Sequence, residues 1–213
     1  MGRRRGASLK RSRPHRPPRP RFVIVCEGKR TEPDYFRALK EHIGRTPLIE
    51  IKIVEGVNSP ERVARRAIEE RRREERKGGR YDGDQFWAVF DRDQDAHYYD
   101  AVSSCEKAGI GVARSNPCFE LWLILHFQDY DNAVTSKGLQ RDCERIIGGG
   151  YHHRKGKTTD FSPFMARLEE AESRAEQQFE RRRRVAASDG RLPPPYTTVF
   201  RLTRAVKKAA RKE

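Results

Sequence analysis

From residue 22 onward, short apolar runs with strand-like spacing alternate with longer stretches of helical period. "FVIVC" (22–26) is apolar without interruption and reads as a buried strand. Residues 32–43 put Tyr35, Phe36, Leu39 and Ile43 on one face of a helix. "IEIKIVEG" (49–56) alternates as a strand does. Ser59-Pro60-Glu61 supplies an N-cap serine and a proline at the first helical position, and the helix runs through "RVARRAIEERRREERK" to Gly78-Gly79. "QFWAVF" (85–90) predicts a third strand, roughly 95–107 a helix, "GIGVARS" (109–115) a fourth strand, and "PCFELWLILHF" (117–127) a strongly apolar helix. Residues 163–184 form a charged helical pattern ending in four arginines.

Strands alternating with helices predict an α/β fold: a parallel sheet of about four strands with helices on its faces. The expected organisation is a disordered basic tail over 1–21, an α/β domain over 22–130 and a mainly helical C-terminal extension over 131–213. In such sheets, sites lie beyond the carboxyl ends of the strands, which turns the loop residues there into candidates.

Charge sharpens this picture. The formal net charge of the 213 residues is +15 and the sequence pI is near 10.0, so a polyanionic partner is expected, either nucleic acid or an anionic membrane surface. No window approaches the roughly 18 apolar residues of a membrane span, and no apolar stretch follows the basic N-terminus as in a secretory signal. Residues 1–21 carry nine Lys or Arg, four Pro and no acid, a composition that resists folding and suits either a phosphate-binding arm or a solvated tail. Cys26, Cys105, Cys118 and Cys143 are scattered without a CxxC pair, which predicts reduced thiols in a cytoplasmic protein.

The candidates at the strand ends are acids. The first strand stops at Glu27, and the third runs into "DRDQD", bringing Asp91, Asp93 and Asp95. On extended backbone, residues two apart point the same way, so Asp91 and Asp93 can aim at one spot. If the first and third strands are neighbours, Glu27 joins them. Converging carboxylates repel unless a cation sits between them, and an oxygen-only set suits Mg²⁺ or Mn²⁺. A single acid after a strand is ordinarily a helix cap. Two such strands, one with D-x-D, in so basic a chain favour metal binding.

Together, "CEGKRTEPDYF", "VFDRDQD" and "NPCFELWLILHF" resemble the RloB-like family, a Toprim-like group related to OLD-type nucleases and associated with prokaryotic phage defence. The resemblance covers residues 22 to about 130 well and "YTTVFRLTRAV" (196–206) more loosely. It implies a Toprim-like fold and a Mg²⁺- or Mn²⁺-dependent nuclease acting on RNA, tRNA included, or on DNA. It also implies an ABC/SMC-like ATPase as partner. That ATPase would act in trans, because "GGGYHHRKGKTT" has Tyr151 where a Walker motif needs glycine. A homodimer is a further expectation.

Residue by residue, Glu27 matches the acid that serves as acid/base or metal ligand, and Asp91 and Asp93 match the D-x-D ligands. Gly28 matches the turn glycine, and Thr31-Glu32 the T-E pair. Thr31 can instead cap the next helix, and for Glu32 the catalytic or ligand role and the helix-end role both stay open. Glu120 is the expected fourth ligand, an acid amid apolar residues. His126 is a catalytic candidate beside its plainer reading as a core histidine. Lys29, Arg30 and Arg92, with Lys155 and Lys157 of the loop 148–158, are the candidate nucleic-acid contacts. Tyr151 matches a family tyrosine, but His153 stands where the family carries its lysine. The rival expectation is a non-catalytic basic nucleic-acid-binding subunit whose acids serve as caps and salt bridges.

Overall fold

The computed structural model describes residues 19–44, 49–76, 83–92, 97–148, 151, 159–186, 188 and 190–211. Along the chain the elements are β1 (Arg21–Cys26), α1 (Thr31–Ile43), β2 (Glu50–Val54), α2 (Pro60–Arg76), β3 (Gln85–Asp91), α3 (Tyr98–Lys107) and β4 (Gly111–Asn116). They continue with α4 (Glu120–Leu125), α5 (Ser136–Ile147), α6 (Ser162–Met165), α7 (Leu168–Arg184), β5 (Tyr196–Thr197) and α8 (Val199–Ala210). The strands form one sheet in the order β2-β1-β3-β4-β5, with β1 to β4 parallel and β5 antiparallel to β4. The fold is therefore α/β, with a fifth strand that the local pattern did not predict.

A parallel sheet is covered on both faces, which is why β1 is an unbroken apolar run rather than an alternating one. Phe22, Ile24 and Cys26 face one way with Val89 and Ala113, into a core shared with α1, α4, α5, α7 and α8. Val23, Val25, Ala88 and Phe90 face the other way, onto Val63 and Ala67 of α2 and Tyr98, Ala101 and Cys105 of α3. The first of these cores runs continuously from Phe22 to Val206. All four cysteines are buried and unpaired. Among the described residues no helix is long and apolar enough to cross a membrane.

Several boundaries differ from the sequence pattern. Arg21, assigned to the tail, begins β1, where it donates to Glu74 at 2.5 Å and to Asp84 at 3.2 Å. Ser59 caps α2 as expected, its hydroxyl accepting from the Arg62 amide at 3.3 Å. Pro117 does not start a helix. The Asn116–Pro117 peptide is cis, and α4 opens only at Glu120, its first turn closed by Leu121 N bonded to Cys118 O and Trp122 N to Phe119 O. The helix expected over 163–184 is two, because its ends have different partners. Phe164 of α6 packs on His126 and Phe127, while α7 lies against α4, α8 and β5.

Strand order decides where a site can sit. The chain passes from β1 outward to β2, then returns to the other side of β1 with β3. In an open α/β sheet, such a reversal leaves a crevice beyond the carboxyl ends of the two strands that flank it. Here those strands are β1 and β3.

Candidate metal centre at the carboxyl edge of the sheet

Glu27 follows β1 and Asp91 ends β3, so the crevice is lined by acids from both sides. The ladder continues past β1, with Glu27 N bonded to Val89 O at 3.0 Å. The Glu27 carboxylate in turn accepts from the Asp91 amide at 3.2 Å, which locks the two strand ends together. Gly28 then turns the chain into α1 and donates its amide to Glu32 Oε1 at 3.2 Å. A Cβ on Gly28 would lie 2.2 Å from Glu32 Oε2, so the glycine leaves room for that carboxylate. The N-cap of α1 is Arg30 with no side-chain cap bond, so Thr31 is not the cap.

Glu120 comes from a third direction, the first residue of α4 after β4. It is 7% exposed and accepts from the hydroxyl of Tyr151 at 2.8 Å. Burial and the negative charge of Glu120 hold the Tyr151 phenol well above its ordinary range, while a hydrogen bond with Thr31 works against that shift. Thr31 thus stands beside Tyr151 and is not the cap of α1. Asn116, at the end of β4, is 5% exposed, and its Nδ2 has no hydrogen-bond partner among the described residues.

The four carboxylates act on one another. Burial first, then the charges on Glu120 and Glu27, push Glu32 up to about 7, against the pull of its own amide and that of Gly28. Asp91 is half-buried as a residue, yet burial of its carboxyl group comes first in pushing it well above the carboxylate range. The charges of Glu32, Glu120 and Glu27 add to that push, and the Phe119 amide opposes it. Burial plus like charge at a strand-end crevice is the pattern by which candidate sites are found. Glu32 is 8% exposed and faces this cluster, which favours a role beyond steadying the helix end.

Not every candidate joins them. His126 is 1% exposed and boxed by Tyr35, Trp122 and Phe164, with ring centroids 5.6, 4.9 and 5.3 Å away. Its Nδ1–H donates to Trp122 O at 2.8 Å, which leaves Nε2 to accept from the Tyr35 hydroxyl at 3.1 Å. Burial, helped by Arg174, pushes it down to about 4, so it is neutral and has no proton to give near pH 7. The structure places it in the core, apart from the acids. His126→Ala is expected to cost about 2–4 kcal/mol through the cavity and the two abandoned partners. Urea unfolding measures that loss, and Mn²⁺ binding should be unchanged; lost binding at native stability would instead put His126 in the site.

Lys29 and Arg30 are exposed beside the turn, where cations can meet a ligand. Arg92 turns away from the acids, donating to Leu192 O at 3.4 Å with its guanidinium 5.3 Å from the Tyr99 ring centre. Asp93, Lys155 and Lys157 lie outside the described residues, as do Asp95, residues 152–158 of the Gly/His/Lys-rich loop and the tail before residue 19. The helper residues Tyr151 and Asn116 carry no signal that sequence reasoning alone turns into a site role. The one hint for Tyr151 was its match to a family tyrosine.

The donor chemistry suits a hard divalent ion: oxygen ligands only, a surplus of negative charge and a mutual repulsion that a cation would relieve. The spacing is less ready. Among the described residues, no three His, Cys, Asp or Glu side chains are arranged to hold a metal ion. Among the described residues, Glu27, Asp91 and Glu120 are therefore those that would hold one after side-chain rotation, with Glu32 beside them.

Neither the curated proteins nor the solved structures provide a match. The family described as RloB-like protein matches residues 22–206, from the first residues of β1 to the middle of α8. That span takes in every strand and every acid of the cluster, and the chain belongs to the RloB-like family.

Proposed function

We propose that this protein is a Mg²⁺- or Mn²⁺-dependent nuclease that hydrolyses phosphodiester bonds in RNA or DNA. The observation that carries the reading is the convergence of Glu27, Glu32, Asp91 and Glu120 on the β1/β3 crevice, with raised proton affinity at Glu32 and Asp91. Such crowding costs stability and is retained where it serves chemistry. A bound ion would polarise the scissile phosphate and lower the charge that builds on its oxygens. The Glu27 carboxylate is steadied by the Asp91 amide and Glu120 by Tyr151, so both stay aimed. Glu32, beside these acids, accepts the proton of the attacking water. The net charge of +15 gathers the polyanion.

Family membership supports the wider setting: a cytoplasmic effector of prokaryotic phage defence, working with an ABC/SMC-like ATPase in trans and as a homodimer. The alternative, a non-catalytic basic nucleic-acid-binding subunit, draws on one observation, the lack of a ready-made ligand cage among the described side chains. Calorimetry decides between them without substrate or partner. Saturable Mn²⁺ binding is expected for the wild type and is expected to vanish in Asp91→Asn/Asp93→Asn. No binding by folded wild-type protein would overturn the nuclease reading in favour of the binding subunit.

A further inference from the structure

Asp91 and Arg92 are consecutive on extended backbone, the Arg92 amide still bonded to Ser115 O at 2.8 Å, so their side chains leave on opposite faces of the sheet. The acids take one face. On the other, guanidinium groups and aromatic rings alternate. Tyr99 is 40% exposed, and with Val185 it is one of two large apolar side chains exposed among the described residues. Its ring centre lies 5.3 Å from the guanidinium of Arg92 and 5.2 Å from that of Arg191, and Tyr98 meets its edge at 5.2 Å.

The positive charge continues beyond Tyr99. Arg114 lies 5.8 Å from the Tyr196 ring centre, and Arg201 lies 4.7 Å from that of Phe179. Burial first, then the charges of Arg114 and Arg183, lowers Arg201, even though Glu180 and Glu176 pull the other way. Cations crowded to this degree, on aromatic faces and next to an acidic crevice, have the character of a polyanion track.

We propose that Tyr99, flanked by Arg92 and Arg191, is a stacking platform for an unpaired base, and hence that the substrate is single-stranded nucleic acid. The proposal rests on the phosphodiesterase reading for the kind of polymer and goes beyond it by naming the strand state and the contact. Bases in a duplex hide their π-faces, whereas a single strand offers one per nucleotide to an aromatic ring or a guanidinium plane. An exposed cation–π contact is the weaker interaction, so Arg92 and Arg191 give up the ring to a base and turn to the flanking phosphates. Asp91 is one residue back along the chain from Arg92, so the platform and the acids share the carboxyl end of β3.

The test is fluorescence anisotropy with the full chain in EDTA, so that neither metal nor cleavage enters. The probes are labelled oligouridine, a labelled RNA duplex and an abasic strand of equal length. Tyr99→Ala and Tyr99→Leu are expected to bind oligouridine roughly tenfold more weakly than wild type, with Tyr99→Phe unchanged. None of the three variants should change binding to the duplex or the abasic strand, which report only backbone charge and the basic tail. Equal oligouridine binding by wild type and Tyr99→Leu overturns the proposal, as does an equal loss on all three probes. Mn²⁺ calorimetry on the same proteins separates the two readings. Metal binding without the base-dependent loss sinks the platform alone, whereas the base-dependent loss without metal binding sinks the nuclease and leaves the platform standing.

Discussion

Asp91→Asn is expected to abolish Mn²⁺ binding and cleavage while making the metal-free protein more stable, by on the order of 1–2 kcal/mol at pH 8. The two signs come from one charge. Asparagine keeps the shape of the side chain and can still accept from the Phe119 amide, so packing and that hydrogen bond survive. It removes the negative charge that burial and the neighbours Glu32, Glu120 and Glu27 oppose. Thermal unfolding in EDTA reads the gain and calorimetry reads the loss. A destabilised variant that still binds Mn²⁺ would mean that Asp91 is a structural acid, serving as a cap or a salt-bridge partner.

The opposition between stability and function also explains why these acids are spread over four elements. Glu27 follows β1, Asp91 ends β3, and Glu120 opens α4 beside Glu32 of α1. No local hydrogen-bond economy calls for four acids there. What holds them is the fold: β1 and β3 pair in register from Phe22 to Cys26, and the buried aromatic faces of α1 and α4 carry Glu32 and Glu120 in with them. Tyr35, Phe36, Phe119 and Trp122 pack edge to face at 5.5 to 6.1 Å in that core. Removing the charge should therefore leave the scaffold intact.

The sequence made the strands and the acid positions readable, because both are local. An apolar run that stops at an acid is visible in "FVIVCEG" and "FWAVFD" without knowing what lies beside it. The adjacency of β1 and β3 was a condition set by the chemistry, and the sheet order meets it. What stayed hidden depends on distant partners. Tyr151 reaches Glu120 across 31 residues, and Arg92 reaches Leu192 across 100, in contacts that leave no period in the chain. β5 is two residues long and exists because Tyr196 and Thr197 pair with Asn116 and Ser115. His126 is the instructive case. The apolar surroundings that gave it its plainer reading as a core histidine also give its two ring nitrogens their partners.

Glu32→Gln is expected to separate from wild type as pH rises. Glu32 sits at about 7 in the folded protein against an ordinary value of 4.5, so between those values the native state holds a proton that the unfolded chain has lost. Stability from this group is therefore full below pH 4.5 and falls as pH rises through 7. The loss is about 3 kcal/mol once Glu32 is ionised in both states. The raw curve of the wild type will not show this cleanly. His126, pushed down to about 4, acts with the opposite sign and withdraws stability as pH falls below its unfolded value. Both proteins share His126, so the difference between them leaves Glu32 and the push its charge gives Asp91: near zero at pH 4, rising to about 3 kcal/mol in favour of Glu32→Gln by pH 8, in urea unfolding with EDTA. A ligand must be ionised to hold an ion, so wild-type Mn²⁺ binding should tighten with pH and release protons. In Glu32→Gln the share of that release due to residue 32 should disappear, leaving only the steps that belong to Asp91 and its neighbours. A flat difference between the two unfolding curves would mean that Glu32 is already ionised in the folded protein at pH 5, and that the carboxylates do not crowd one another.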